Sequence, residues 1–435
     1  MSLFGALNTA VSGLSAQSAA FGNISDNVAN SQTTGYKAVD TSFVDYLTTS
    51  TATENEPGSV SALPDYTNNV QGTISQSSDP LAMAISGQGF FAVSEAAGVS
   101  VTNQPNFSAQ TYYTQAGDFQ LNDSAYLVNG AGQYLQGWTV NSQTGVANQS
   151  QLAPIQITQT QFNPVPTANI NLSANLPATP AANTPVSSQV NVYDTLGNAH
   201  TLTLNWTQNS ANDWTVEVDS PDSLTNPVGT AEVQFGAASP NGTNAGTIGA
   251  FGALSGNITA TGFTTDTPAS LTLTTDFGNG PQNINLNMGD FGEANGVTQF
   301  AGTDYTLRSI SQDGVAPGAF TGISITNAGD VVANYNNGQT QTVAQVPIVT
   351  FAAPDALQRQ NGQAFTATTN SGDPITQSEG TNGAGSLVIG SVESSNVDIA
   401  TEFSNLIVAQ QAYGANAKVV TTADQMLQTT INMLQ

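Results

Sequence analysis

Few residues in this 435-residue chain could do chemistry, and each has a plain structural reading beside it. His200 is the only histidine. As a catalytic base it would need a nucleophile on one side and an orienting carboxylate on the other. It sits beside an alternating strand, where a structural role is the favoured one. The acidic, glycine-rich stretches Asp276 to Gly280 and Gly289 to Gly296 lack the ligand spacing of a calcium loop and read as turns. Gly87-x-Gly89 is not followed by the third glycine and helix of a dinucleotide site, so it reads as a turn entering a strand. Asn148-Gln149-Ser150 and Asn257-Ile258-Thr259 are expected by chance in a chain this rich in Asn, Ser and Thr. Tyr and Trp fall within strands, where packing accounts for them. The expectation is a chain with no catalytic residues, no cofactor and no metal.

Charge narrows the partners further. Four cationic residues stand against thirty acidic ones, a net charge of -26. Phosphate binding needs clustered Lys and Arg, so nucleic acid is excluded as a partner. The same argument excludes an anionic membrane surface. Ion pairs cannot hold such a fold together. Cysteine is absent, which removes disulfides and thiol chemistry. The N-terminus lacks the basic and apolar segments of a cleavable secretory signal, and no stretch approaches a membrane span of ~20 apolar residues.

The elements that organise the chain lie at its two ends. Over residues 396–435, Ile399, Phe403, Leu406, Gln410, Tyr413, Ala417, Val420, Asp424, Leu427, Ile431 and Leu434 alternate four- and three-residue spacings. That spacing keeps one helical stripe facing a partner helix. Asn396, or Ser395 with Asp398 three residues on, supplies an N-cap. Phe4, Leu7, Val11, Leu14, Ser18, Phe21, Ser25 and Val28 repeat the rhythm near the start. Two matching seams at opposite ends of the chain predict a coiled-coil pair. By pattern alone, two amphipathic helices packed on a central domain fit equally well. Gly13, Gly22 and Gly414 each cost roughly 1 kcal/mol of helix propensity, so the helices depend on neighbours, other copies of the chain included.

Between the ends the pattern is β. Residues 31–71 read as an extended connector with a few apolar anchors. From Gly72, short strands near ten-residue spacing predict an antiparallel sandwich or barrel. A Gln-, Pro- and Ala-rich passage over 139–180 marks a domain crossing, a second β region follows, and the first resumes near residue 320. The predicted fold is mainly β with terminal α-helices, nested in layers built from both chain ends. Residues 1–30 with 396–435 form the helical domain, and 31–71 with 386–395 the connector. Residues 72–160 with 320–385 form an inner β domain, and 161–319 an inserted outer β domain.

Several motifs give these layers a resemblance. Near the start stands Asn27-Val28-Ala29-Asn30-Ser31-Gln32-Thr33-Thr34-Gly35-Tyr36-Lys37. Near the end stand Ser395-Asn396-Val397-Asp398, Glu402 and Gln410-Gln411-Ala412-Tyr413-Gly414-Ala415-Asn416-Ala417. Gly87-Gln88-Gly89-Phe90-Phe91, Ala116-Gly117-Asp118-Phe119 and Leu135-Gln136-Gly137-Trp138 lie between them. Together they resemble the flagellar axial rod and hook family, most closely over 1–140 and 320–435. The terminal motifs are shared across that family. Val192-Tyr193-Asp194-Thr195-Leu196-Gly197-Asn198-Ala199-His200 and Asn175-Leu176-Pro177-Ala178 resemble its hook members in particular. Gln115 departs from the family, which often carries Arg there, so a neutral hydrogen bond is expected in place of a salt bridge.

The resemblance implies a structural subunit that polymerises into a curved, flexible tube outside the cell and transmits torque from rod to filament as a universal joint. It implies contacts with rod, hook-cap and hook–filament junction proteins and with the flagellar type III export apparatus. The motif residues it points to are Asn27, Ala29, Asn30, Thr33, Gly35, Tyr36, Lys37, Asn396, Asp398, Gln410 and Asn416. A distal-rod subunit and an acidic extracellular β-rich adhesin are the rival readings. The 161–319 insertion argues against the first, and the two terminal seams against the second.

Overall fold

The computed structural model describes residues 3–50, 55–99, 104–141, 144–180 and 185–433. They fall into two compact units. The first is discontinuous, built from 1–159, 322–334 and 340–435; the second holds 160–321 and the short turn 335–339.

In the discontinuous unit, helix α1 spans Leu3–Ala29 and helix α2 spans Ile399–Met433. They run antiparallel, with Asn27 bonded to Glu402 at one end and Gly13 against Asn416 further along. The cap of α2 is Asp398, whose Oδ1 accepts the N–H groups of Ala400 and Thr401. A carboxylate there also meets the positive end of the helix dipole. Neither cap expected from sequence serves α2: Asn396 is turned back, its Oδ1 accepting the N–H of Ala38 and its Nδ2 reaching Thr67, and Ser395 Oγ accepts the N–H of Val397.

Residues 31–71, which show no alternation in sequence, hold a long antiparallel hairpin of β1 (Val39–Ser50) and β2 (Asn55–Tyr66). Polar side chains of α1 lace this hairpin along the helix. Thr9 Oγ1 donates to the Gly58 carbonyl, Val60 N–H donates to Ser12 Oγ, and Asn23 Nδ2 donates to Thr41 Oγ1. Asn27 closes the base by exchanging two hydrogen bonds with the backbone of Val39.

The first β region is built on an eleven-stranded sheet, with separate two-stranded ladders beside it, in which early and late segments interleave. Trp138 pairs with Gln345, Thr139 with Ala344, Ala364 with Thr114 and Phe365 with Tyr113. Its aromatic core follows the same rule. Phe90 meets Phe351 at 5.9 Å and Phe365 at 5.7 Å, edge to face. These geometries suit the ring quadrupoles, and the rings themselves exclude water between distant parts of the chain. Gly117 lies so close to the Met83 carbonyl that an added Cβ would overlap it.

The inserted unit is a sandwich of two five-stranded sheets. One is a meander of Val186–Tyr193, Ala199–Ser210, Asp213–Asp219, Gly229–Phe235 and Ile248–Gly256. Buried and half-buried residues alternate along Asp213–Asp219, as a strand with one covered face requires. Trp206, Trp214, Leu204, Val216, Leu271, Ile284 and Phe291 fill one core between the sheets. The opposite sheet faces carry neutral ladders, such as Asn287 Nδ2 to Asn171 Oδ1 and Thr272 Oγ1 to Asn285 Oδ1. A chain so poor in cations uses amides and hydroxyls where other proteins place salt bridges.

Of the candidates weighed from sequence, His200 and the Asp276 turn fall within this unit. His200 stacks on Phe277 at 4.0 Å, with its ring nitrogens 3.4 Å from Asp194 and 3.2 Å from Asp222. Burial raises the Asp194 carboxyl, but donors from Asn198, His200 and Leu196 outweigh it and hold the group at about 2. Asp194 thus stabilises the fold above its ordinary value of 3.8, and that contribution is lost as pH falls through about 2. In the Asp276 turn, the carboxylate accepts the N–H groups of Gly278 and Gly280. Among the described residues, no three His, Asp or Glu side chains are grouped to hold a metal.

Trp214 is fully buried, so Trp214→Ala should cost about 3–5 kcal/mol through lost transfer energy and a residual cavity. Urea unfolding followed by circular dichroism would measure it.

Candidate self-assembly surface

Five of the motif residues, Asn27, Gly35, Tyr36, Lys37 and Asn396, converge on one polar junction, while Ala29 and Gln410 stay exposed. Lys37 Nζ lies 2.7 Å from Glu393 Oε1, with both side chains essentially closed to water. Lys37 also donates to the Val70 carbonyl, and the same Glu393 oxygen accepts the Gly72 N–H. Burial pushes the lysine down from its ordinary value, and the carboxylate pulls it back toward the charged form. Tyr36 donates from its hydroxyl to Asn27 Oδ1 and carries the Arg359 guanidinium 4.9 Å above its ring. Gly35 adopts φ +68° and donates its N–H to the Glu393 carbonyl. A Cβ there would run into the Ala116 backbone. Asn30 accepts from the Thr33 hydroxyl and Ala29 is exposed. Gln115 donates its Nε2 to the Gly89 carbonyl, a buried neutral bond inside the subunit.

Above this junction, the face that α1 and α2 close on each other is made of small residues. Ala10, Gly13, Ala16, Ala20 and Ile24 on α1 are buried, as are Ala409 and Ala423 on α2. Asn416 sits over Gly13, where a Cβ would lie 2.7 Å from its Nδ2. Phe21 and Tyr413 meet edge to face at 6.3 Å. The inner stripe on α2 therefore steps through Glu402, Leu406, Ala409, Tyr413, Asn416, Val420, Ala423 and Leu427, with Tyr413 still 43% exposed. It keeps half of the seam marked by the large residues and is turned away from the other half.

The rest of the marked seam faces outward. Phe4 is 69% exposed, Val11 47%, Ile399 44%, Phe403 53% and Ile431 56%. Gln410 is also exposed. Leu7, Leu14, Phe21, Val28, Leu406, Ala417, Val420 and Leu427 are half-buried. Leu434 lies outside the described residues. Sequence reasoning passed over the alanines and Gly13, since small residues carry little hydrophobic signal. The clue available was their three- and four-residue spacing, Ala10, Gly13, Ala16 and Ala20 on α1.

Glu402 lies at the buried foot of this pair, beside an open groove of about 350 Å³ that Ile24, Asp40, Phe43 and Val408 also line. Burial pushes its carboxyl up, the Asn27 donor pulls it back, and the charge of Asp40 adds to the rise.

Two paired helices from opposite chain ends, carrying outward apolar stripes beside a β layer, suit a structural subunit that assembles through its termini. Four family profiles match the chain in order, from near its start to near its end, leaving 38–83 and 316–388 unmatched. Flagella basal body rod protein matches residues 7–37, and Flagellar hook protein FlgE/F/G D1 domain matches 84–175. Flagellar basal body protein FlaE D2 domain matches 156–315, and Flagellar basal body rod FlgEFG protein C-terminal matches 389–433. The chain is 31% identical to flagellar hook protein FlgE of Rhizobium meliloti (strain 1021), over all of both chains. It is 30% identical to FlgE of Brucella abortus biovar 1 (strain 9-941), again over all of both, and 30% to that of Escherichia coli (strain K12), over 98% of this chain and all of that one. The chain belongs to the flagellar hook protein FlgE family. It is a structural, self-polymerising subunit of the hook, and not an enzyme.

Two variants test the junction. Glu393→Gln strands the buried Lys37 charge and should cost about 3–5 kcal/mol in denaturant unfolding. Glu402 holds its proton more tightly when folded, so its contribution is present below its ordinary value of 4.5 and is lost as pH rises through the folded value. Glu402→Gln should therefore raise thermal stability at pH 7 and leave it unchanged at pH 4, as read by calorimetry.

Proposed function

We propose that copies of this chain stack through the outward stripes of α1 and α2 into a curved tube that bends while it turns and carries torque from rod to filament. Residues 1–30 with 396–435 line the bore, and 31–71 with 386–395 surround them. Residues 72–160 with 320–385 form the next shell, and 161–319 the outermost. The tube lies outside the cell, and its subunits leave through the flagellar export apparatus without a cleaved signal. Its other contacts are the rod below, the hook cap during growth and the hook–filament junction proteins above.

One observation carries this reading. The two terminal helices spend their small residues on each other and leave Phe4, Val11, Phe403 and Ile431 in water. Exposed apolar surface in a continuous stripe stabilises association when a second copy covers it, at roughly 25 cal/mol per Å² removed from water. The helices are soft enough for the task. Each carries an exposed glycine, and such helices gain order from neighbours.

Phe4→Asp and Phe403→Asp should leave the circular dichroism of the free subunit unchanged and lower the sedimentable polymer at least tenfold, because a charge buried at the contact costs several kcal/mol. Ordinary polymer from both variants would refute the proposed contact. With a charge of -26 on every copy, the polymer's disassembly temperature should rise with added salt. A salt-independent temperature would contradict that.

A further inference from the structure

The chain has only four cations, and the structure accounts for three of them inside the subunit. Lys37 is paired with Glu393, Arg308 donates to the carbonyls of Ala174 and Gly296, and Arg359 lies over Tyr36. Lys418 is the exception. It stands exposed on α2, and among the described residues its ammonium makes no hydrogen bond or ion pair. On α1 there is one charged residue, Asp26, also exposed, and its carboxylate makes no hydrogen bond or ion pair among the described residues. These two charges cannot meet within one molecule. Asn416 sits level with Gly13, so Lys418 is level with Val11. Asp26 is fifteen residues further along α1, roughly 20 Å away at ~1.5 Å per residue.

We propose that Lys418 of one copy pairs with Asp26 of a second copy displaced by nearly that distance along the helix axis. This rests on the reading that copies assemble through their terminal helices, and adds which faces meet and in what register. The two glycines flanking the charges fit the same contact. Gly13 has an internal reason, the Asn416 side chain over it. Gly22 and Gly414 have none: an added Cβ at either would meet nothing within 4 Å. Each lies one turn before a charged residue, Gly22 before Asp26 and Gly414 before Lys418. In an antiparallel crossing shifted by about eleven residues, ~16 Å, the Lys418 stem lies over Gly22 and Asp26 over Gly414, and the ammonium reaches one turn along to the carboxylate. Ser18, Ser25 and Thr421 on the same faces are small enough to let the backbones approach. The occupant is a second copy of this chain because its surface offers the complementary charge.

Charge reversal separates this pair from general repulsion. Asp26→Lys lowers the subunit's negative charge and should favour a polymer limited by repulsion alone; the pair predicts that it hinders assembly. With the full-length chain, Asp26→Lys and Lys418→Glu should each raise the critical concentration for polymerisation on the order of tenfold. Asp26→Lys/Lys418→Glu, which restores the parent net charge, should recover most of that loss. Because the chain has no cysteine, a mixture of Asp26→Cys and Lys418→Cys chains should also give a two-chain product with a short bismaleimide. Single variants that assemble as well as the parent, or a double variant no better than either, would overturn the pairing, as would absence of the cross-link in polymer. If Phe4→Asp and Phe403→Asp block assembly while the reversals do nothing, the pairing fails and the helix-contact reading stands.

Discussion

A lysine ammonium and a glutamate carboxylate, sealed from water at the root of the terminal helices, tie together three segments that are remote in sequence. Lys37 follows α1, Val70 and Gly72 follow the hairpin, and Glu393 precedes α2. Burying a charge without its partner costs far more than a pair on the surface returns, so the two residues enforce each other's position. Everything that projects from this point inherits its aim. The hairpin is held along α1 by Thr9, Ser12, Asn23 and Asn27. Chain ends that would otherwise fray are thereby presented as a fixed pair.

That fixed pair explains why the apolar stripes can serve assembly. If Phe4, Val11 and Phe403 were turned inward, the subunit would be satisfied alone. Alanine and glycine on the inner face let the helices approach closely at little cost in side-chain ordering, and leave bulky residues on the outer one. The seam was legible in the sequence as a period. Which face it closed was not, because Ala409, Ala423 and Gly13 look like background beside Phe403 and Ile431. Leu406, Tyr413, Val420 and Leu427 belong to both stripes, so the period alone could not choose between them.

The β layers divide in the same way. Alternation in Val190 to Trp206 and Trp214 to Val218 announced the sandwich, since each of those strands has one covered face. The hairpin was opaque for the converse reason. It packs along a helix instead of over a core, so Phe43, Tyr46, Leu47 and Leu63 remain exposed and no period of two emerges. Pro57 and Pro64 further disguise β2 as a loop. At the junction, the motif residues were recognisable as a set, but the Lys37–Glu393 pair spans 356 positions, and no spacing rule reaches that far.

The interleaved ladder between Trp138 and Gln345 sets an order of events. Its early strands cannot close until the chain beyond residue 340 is present, so a molecule delivered head first stays unfinished there for most of its length. The inserted sandwich has no such wait. Within it, Phe162 bridges Gly318 and Val165 bridges Val315, so its entry and exit are zipped side by side once it folds. That clasp replaces a loop of more than a hundred residues with a short one and removes much of the closure entropy opposing the late pairing. The insertion that separates Trp138 from Gln345 in sequence therefore need not keep their strands apart when they pair.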